Sequence, residues 1–173
     1  MRLVVTVSLL ALLLAVPAAS QVPDDLLIVP GVRIGKWTLE MSIDDLVQMN
    51  GPAFIARLES QEFVSAFQRH VWTTFVPENL EAVSRDGKKV VWLSVGGVKF
   101  KTDKGIGFQS RRSAVETAYG KPTAEIDFFR VLRRMIYDSI GLRLTILLGT
   151  SLGDPVVEVL VFGPGTAKSI WRF

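Results

Sequence analysis

The chain has 173 residues, 49% of them apolar and 21% charged, with 20 Lys and Arg against 17 Asp and Glu for a net charge of +3. This composition fits one globular domain or two small units sharing a core, and it excludes a disordered chain. There is no cysteine, which excludes disulfides, thiolate metal sites and a lipid-modified N-terminal cysteine.

Met1-Arg2 is followed by Leu3 to Val16, an apolar run broken only by Thr6 and Ser8, and then by Pro17-Ala18-Ala19-Ser20. A basic start, a short apolar stretch and small residues describe an export signal, with cleavage expected after Ser20. The alternative is a retained N-terminal membrane anchor, although a bilayer span needs about 20 apolar residues. Removal of residues 1–20 takes away only Arg2 and leaves a charge of +2. A balance that small aids solubility and does not specify a nucleic-acid partner. The expected compartment is periplasmic or secreted, with no stable membrane span after cleavage.

Residues 21–31 read as a linker ending in the Pro30-Gly31 turn signal. A first unit is expected over 32–102. Ser42 is a natural helix N-cap, with Asp45 three residues on as its capping partner. Ile43, Leu46, Val47 and Asn50 share one helix face, and Gly51-Pro52 stops the helix. Val71 to Val76, Leu80 to Ser84 and Lys89 to Val95 read as strands, with Asp86-Gly87 the clearest hairpin signal.

A second unit is expected over 103–173. Val115, Ala118 and Tyr119 share a helix face, and Gly120 ends the helix. The cap is Ser110 by residue type or Arg111 by alignment with Ser42. Arg130 to Ser139, Leu142 to Leu148 and Pro155 to Phe162 read as strands. The two helix stops, Gly51 and Gly120, stand 69 residues apart. The expected fold is therefore α+β, as two tandem repeats, each a short helix packed on an antiparallel meander.

Alternation assigns the strand faces. Val157, Val159 and Val161 should face the core, and Val156, Glu158 and Leu160 should face outward. Aligning the two units sets Trp92 at the position of Glu158. Trp92 is then a candidate exposed aromatic on an open face shared with Arg143, Arg134 and Glu158. Aromatic and Arg residues dominate binding hot spots, so these four are the candidate protein-binding residues.

The run Leu39-Glu40-Met41-Ser42-Ile43-Asp44-Asp45-Leu46 with Gly51-Pro52 resembles a signature of exported bacterial domains. That group includes the β-lactamase inhibitory proteins, which are tandem repeats of one unit, and the small lipoprotein of the outer-membrane barrel assembly machine. The second copy is similar through Gly105-Ile106-Gly107-Phe108, Val115, Tyr119-Gly120-Lys121-Pro122 and Tyr137-Asp138-Ser139-Ile140-Gly141-Leu142. The resemblance covers 32–173 and implies the helix-and-meander fold. Glu40 stands where the group carries Gly. Function does not transfer with such a fold, because sites are grafted onto it.

Catalytic chemistry has few footholds. His70 is the single histidine, which argues against a triad and against a histidine-based zinc site. Asp44-Asp45 sits in a first helical turn, where carboxylates favour the macrodipole. Gly105 and Gly107 with Arg111 and Arg112 form a candidate anion-binding turn at a helix start, without the Lys-Ser/Thr of a phosphate loop. Trp171 and Phe173 are aromatic, yet the alternating segments are too few for a membrane barrel. The expected function is an exported, non-catalytic protein that binds another protein or an envelope component, with no metal or cofactor. The alternatives are a small periplasmic hydrolase using dispersed carboxylates and a small-ligand-binding module.

Overall fold

The structure, a computed structural model, describes residues 22–50, 62–65, 68–75, 79–85 and 88–170. The expected signal segment, the Gly51-Pro52 helix stop, the Asp86-Gly87 hairpin and the Trp171 to Phe173 end lie outside the described residues.

A short 3-10 turn over Asp24–Leu26 leads into β1 (Leu27–Val29), β2 (Arg33–Ile34), β3 (Trp37–Thr38) and helix α1 (Ile43–Asn50). Then come β4 (Glu62–Ser65), β5 (Gln68–Phe75), β6 (Leu80–Arg85), β7 (Lys89–Val95) and β8 (Lys101–Thr102). Helix α2 (Arg112–Tyr119) precedes β9 (Ala124–Phe128), β10 (Leu132–Tyr137), β11 (Leu142–Leu147) and β12 (Val156–Phe162), and the short helix α3 spans Ala167–Ile170. The result is α+β, with more strand than helix.

One antiparallel sheet holds eight strands in the order β4-β5-β6-β7-β12-β11-β10-β9. Each half of it is a meander of consecutive strands, the solution that short turns favour. The halves join where β12 runs beside β7, with Leu160 opposite Ser94 and Val161 opposite Leu93. A smaller sheet, ordered β3-β2-β1-β8, lies with α1 and α2 on one face of the large one.

The segment expected to be a linker is part of this smaller sheet. Ile28 is fully buried, and β1 pairs with both β2 and β8. The apolar triplet Leu27-Ile28-Val29 was too short for periodicity to separate a strand from a leader.

The capping box forms as expected. Ser42 Oγ accepts from the Asp45 N–H (3.0 Å), and Asp45 Oδ2 accepts from the Ser42 N–H (3.1 Å). The Ser42 hydroxyl holds the Asp45 carboxyl below its ordinary pKa. Leu46 and Asn50 are buried on the predicted face, and Asn50 Oδ1 accepts from Trp37 Nε1 (3.2 Å). Helix α2 begins after Arg111, which makes no side-chain cap. Ser110 instead spends its hydroxyl as an acceptor for the Gly107 N–H (3.0 Å).

The entries to both helices are clamped to the sheet by matching backbone bonds. Glu40 N–H donates to Val90 O, Val90 N–H to Met41 O, and Ile43 N–H to Lys88 O. In the other half Gln109 N–H donates to Val156 O, Val156 N–H to Ser110 O, and Arg112 N–H to Asp154 O. Glu40 (φ 76°) and Gln109 (φ 65°) both take the left-handed backbone that favours glycine.

The helix-side core is almost purely aliphatic. Leu80, Leu93, Val95, Met135, Leu142, Leu144 and Ile146 meet Ile28, Ile34, Leu46 and Val115 there. Each such side chain contributes about 1.5–3 kcal/mol of burial free energy. Tyr137 ties the sheet to the end of α2, because its hydroxyl donates to Gly120 O (3.1 Å) and burial pushes its pKa up to about 12.

Candidate functional site

The face away from the helices carries the chemistry. Strand register sets its residues in rows that run across the sheet. One row reads Glu81, Ser94, Leu160, Arg143 and Ile136. The next reads Glu158, Thr145, Arg134 and Ile126. A third, at the far side of the first, pairs Phe162 with Trp92 and Trp92 with Val83.

Three of the four predicted binding residues come together. Arg143 Nη2 donates to both oxygens of Glu158 (3.2 and 3.1 Å), and Thr145 Oγ1 donates to Glu158 Oε2 (2.5 Å). Arg134 neighbours Thr145 in the register and holds its guanidinium 4.3 Å from the centre of the Phe128 ring. Burial, then the charge of Arg143, lowers the Arg134 pKa. Arg143 is itself buried, and its Nε finds no acceptor, an unspent donor that a folded protein seldom leaves without a reason.

The expected exposure of Trp92 is overturned. Its relative exposure is 4%, and it packs with Val83, Ile136, Leu160, Phe162 and Ala167 in a second apolar cluster. Ala167 arrives because the chain folds back after β12, where Asp138 Oδ1 accepts from the Ala167 N–H (3.0 Å). Leu160, expected to point outward to water, is fully buried in the same cluster. The face assignment by alternation holds for Glu158, Leu160, Val159 and Val161, but the outward face is covered over its Trp92 end. A bulge between Thr145 and Ile146 shifts the register at the start of β12, so that Val156 is buried and Val157 only half buried.

Residues missed from the sequence complete the row. Glu81 is half buried, and burial followed by the charge of Glu158 raises its pKa. Ser94 Oγ donates to Glu81 Oε2 at 3.4 Å. The signal was available in β6, where Glu81 interrupts apolar neighbours at the period of the strand. Its partners, however, depend on a strand order that a single sequence does not state.

The anion-binding turn does not form a cradle. Gly105 N–H donates to Thr102 O, Ile106 N–H to Thr102 Oγ1, Gly107 N–H to Ser110 Oγ and Arg112 N–H to Asp154 O. A Cβ on Gly107 would stand 2.2 Å from Phe100 O, so glycine there serves close backbone packing. Arg112 turns to Glu116 (2.7 Å) and Glu125 (2.8 Å), and these acids would repel an anion. Both line a groove of about 390 Å³ with Gly120, Lys121 and Pro122. Arg111 is exposed. The internal acceptors, brought from Thr102, Ser110 and Asp154, are what the glycine pattern alone did not reveal.

His70 lies in β5, in register with Phe63 and Arg85. Among the described residues, no group of three or more His, Asp or Glu is arranged to hold a metal ion. No described helix is long and apolar enough to cross a membrane.

The fold and this face define an α+β protein whose large antiparallel sheet carries a half-buried charged row on the side away from its helices. Comparison with family models, with curated proteins and with solved structures finds no match to the chain.

Proposed function

We propose that the chain is an exported binding protein that recognises another protein or an envelope component through the Arg134, Glu158 and Phe128 part of this sheet face. The observation that carries the reading is the ion-paired row itself. Arg143 and Thr145 fix the Glu158 carboxylate, while Glu158 and Arg134 remain half exposed beside an aromatic ring. A prepaid geometry of this kind lowers the ordering cost of docking a complementary charge. Export to a periplasmic or secreted location rests on the Met1 to Ser20 pattern.

The tandem-repeat reading belongs to the same proposal. It is supported by the helix-then-meander order in both halves, by the two matching sets of three backbone bonds, and by the left-handed residue three before each helix.

Affinity capture from envelope extract, with crosslinking and competition by untagged chain, tests the binding role. A competed partner that is lost with Arg134→Ala, at unchanged thermal midpoint, supports the face. Capture that ignores Arg134→Ala moves the interface elsewhere.

A second reading is a hydrolase with Glu81 as the acid and Glu158 as the second carboxyl group. Burial pushes the Glu81 pKa up, and Glu158, ion-paired with Arg143 at 3.1 Å, shares its sheet face; a carboxyl group with a raised pKa suits a general acid. Turnover of aryl glycosides or envelope glycans that Glu81→Gln abolishes would favour it. Equal rates in both proteins would remove it.

A further inference from the structure

We infer that the end of the large sheet carrying the β9–β10 turn rests on an anionic lipid surface, with Phe129 inserted among the lipids.

Large apolar side chains are concentrated there. Phe129 (76% exposed) and Val131 (52%) form the β9–β10 turn, and Leu152 (64%) tops the loop between β11 and β12. Those two loops are neighbours, since Leu148 N–H donates to Val131 O (2.8 Å). Val98, also exposed, follows β7 out of the same end. Exposed apolar residues gathered at one end, unlike single ones, mark an interaction site.

The turn presents its aromatic at a conformational cost. Phe129 (φ 51°) and Arg130 (φ 61°) are consecutive left-handed residues without a glycine, a backbone that side chains other than glycine disfavour. Phe129 is held largely in water, with the Phe128 ring beside it at 4.1 Å between centroids.

Two observations select lipid as the occupant. First, β1 ends at a turn where Gly31 N–H donates to Gly141 O, at the far end of the sheet from Phe129. The chain therefore enters β1 from the Phe129 side. Only residues 17–21 separate the apolar run Leu3 to Val16 from Val22, a reach of at most roughly 20 Å. In the chain that keeps this run as an N-terminal anchor, the alternative reading of residues 1–20, this end lies near the bilayer surface. Second, Arg130 is exposed in the turn itself, a cation placed to meet anionic headgroups. An apolar tip with an adjoining cation is the arrangement of interfacial binding.

The absence of cysteine allows a direct test on the full chain. Phe129→Cys, Leu152→Cys and, at the opposite end, Ser139→Cys are each labelled with an environment-sensitive fluorophore. The chain is then added to vesicles of phosphatidylethanolamine and phosphatidylglycerol (3:1) with brominated acyl chains. Strong quenching at 129 and 152, little at 139, and weaker quenching in purely zwitterionic vesicles are expected. Labels at 129 and 152 that stay unquenched, or that match 139, overturn the inference and leave a protein as the cover for this end. A full chain that fails to bind the vesicles also overturns it.

Discussion

Over the central strands β7, β12 and β11 the two faces of the large sheet are both largely buried, but by different chemistry. Toward the helices, Leu93, Leu142, Leu144 and Ile146 pack into a cluster of buried apolar residues. On the other side Trp92, Leu160 and Phe162 form an apolar cluster that borders directly on Arg143, Thr145 and Glu158. The first face gains stability from area. The second trades part of that gain for a fixed arrangement of charges, because a buried pair rarely stabilises beyond an apolar substitute. A sheet can thus keep an apolar core on one side and a fixed charge row on the other.

The sharpest way to break this comparison is a pair of truncations measured by urea denaturation. Trp92→Ala is expected to cost about 3–5 kcal/mol and Leu144→Ala about 2–5 kcal/mol, since both remove buried volume. A Trp92→Ala cost within about 0.5 kcal/mol, as for a surface residue, would mean that the Trp92 end of the second face is open after all.

Next in size is the charge row. Arg143→Met leaves the Glu158 carboxylate half buried without its main partner, and a loss of about 1–3 kcal/mol is expected. Adding Glu158→Met should recover most of it. A double variant as unstable as the single one would show that Arg143 acts through packing rather than through the pair.

The smallest effect concerns pH. Glu81 has a raised pKa, so the folded chain holds that proton more tightly than the unfolded chain does. Its contribution to stability is therefore best at acid pH and is lost as pH rises through the folded pKa. Glu81→Gln should raise the urea midpoint at pH 7, and the gain should vanish below about pH 4, where Glu81 is protonated in both states. A pH-independent gain would place its origin in packing.

Local chemistry made part of this legible in advance. The Ser42 and Asp45 cap, the Leu46 and Asn50 face, and the bounds of β7 and β12 follow from side-chain types a few residues apart. What failed was non-local. Alternation says which residues share a face, and Trp92 does share one with Glu158, but it cannot say that the chain after β12 returns to bring Ala167 onto it. β9, which is not among the expected strands, alternates cleanly in Ala124-Glu125-Ile126-Asp127-Phe128. Glu81 and Ser94 became part of the site only through pairing partners set by strand order.

The outer strand β9 has a consequence of its own. It forms one edge of the large sheet, and such an edge is a template on which a strand of another molecule can add. Here Glu125 and Asp127 stand at alternate positions and are chained to Arg112 and Arg133. An incoming strand would have to strip water from carboxylates already satisfied, so the edge opposes fibre-like polymerisation of the protein on itself. The Arg133 hydrogen bond holds the Asp127 carboxyl below its ordinary pKa, which keeps the guard charged further into acid than an unpaired aspartate would be. Only once Asp127 is protonated does the β9 edge lose this part of its guard.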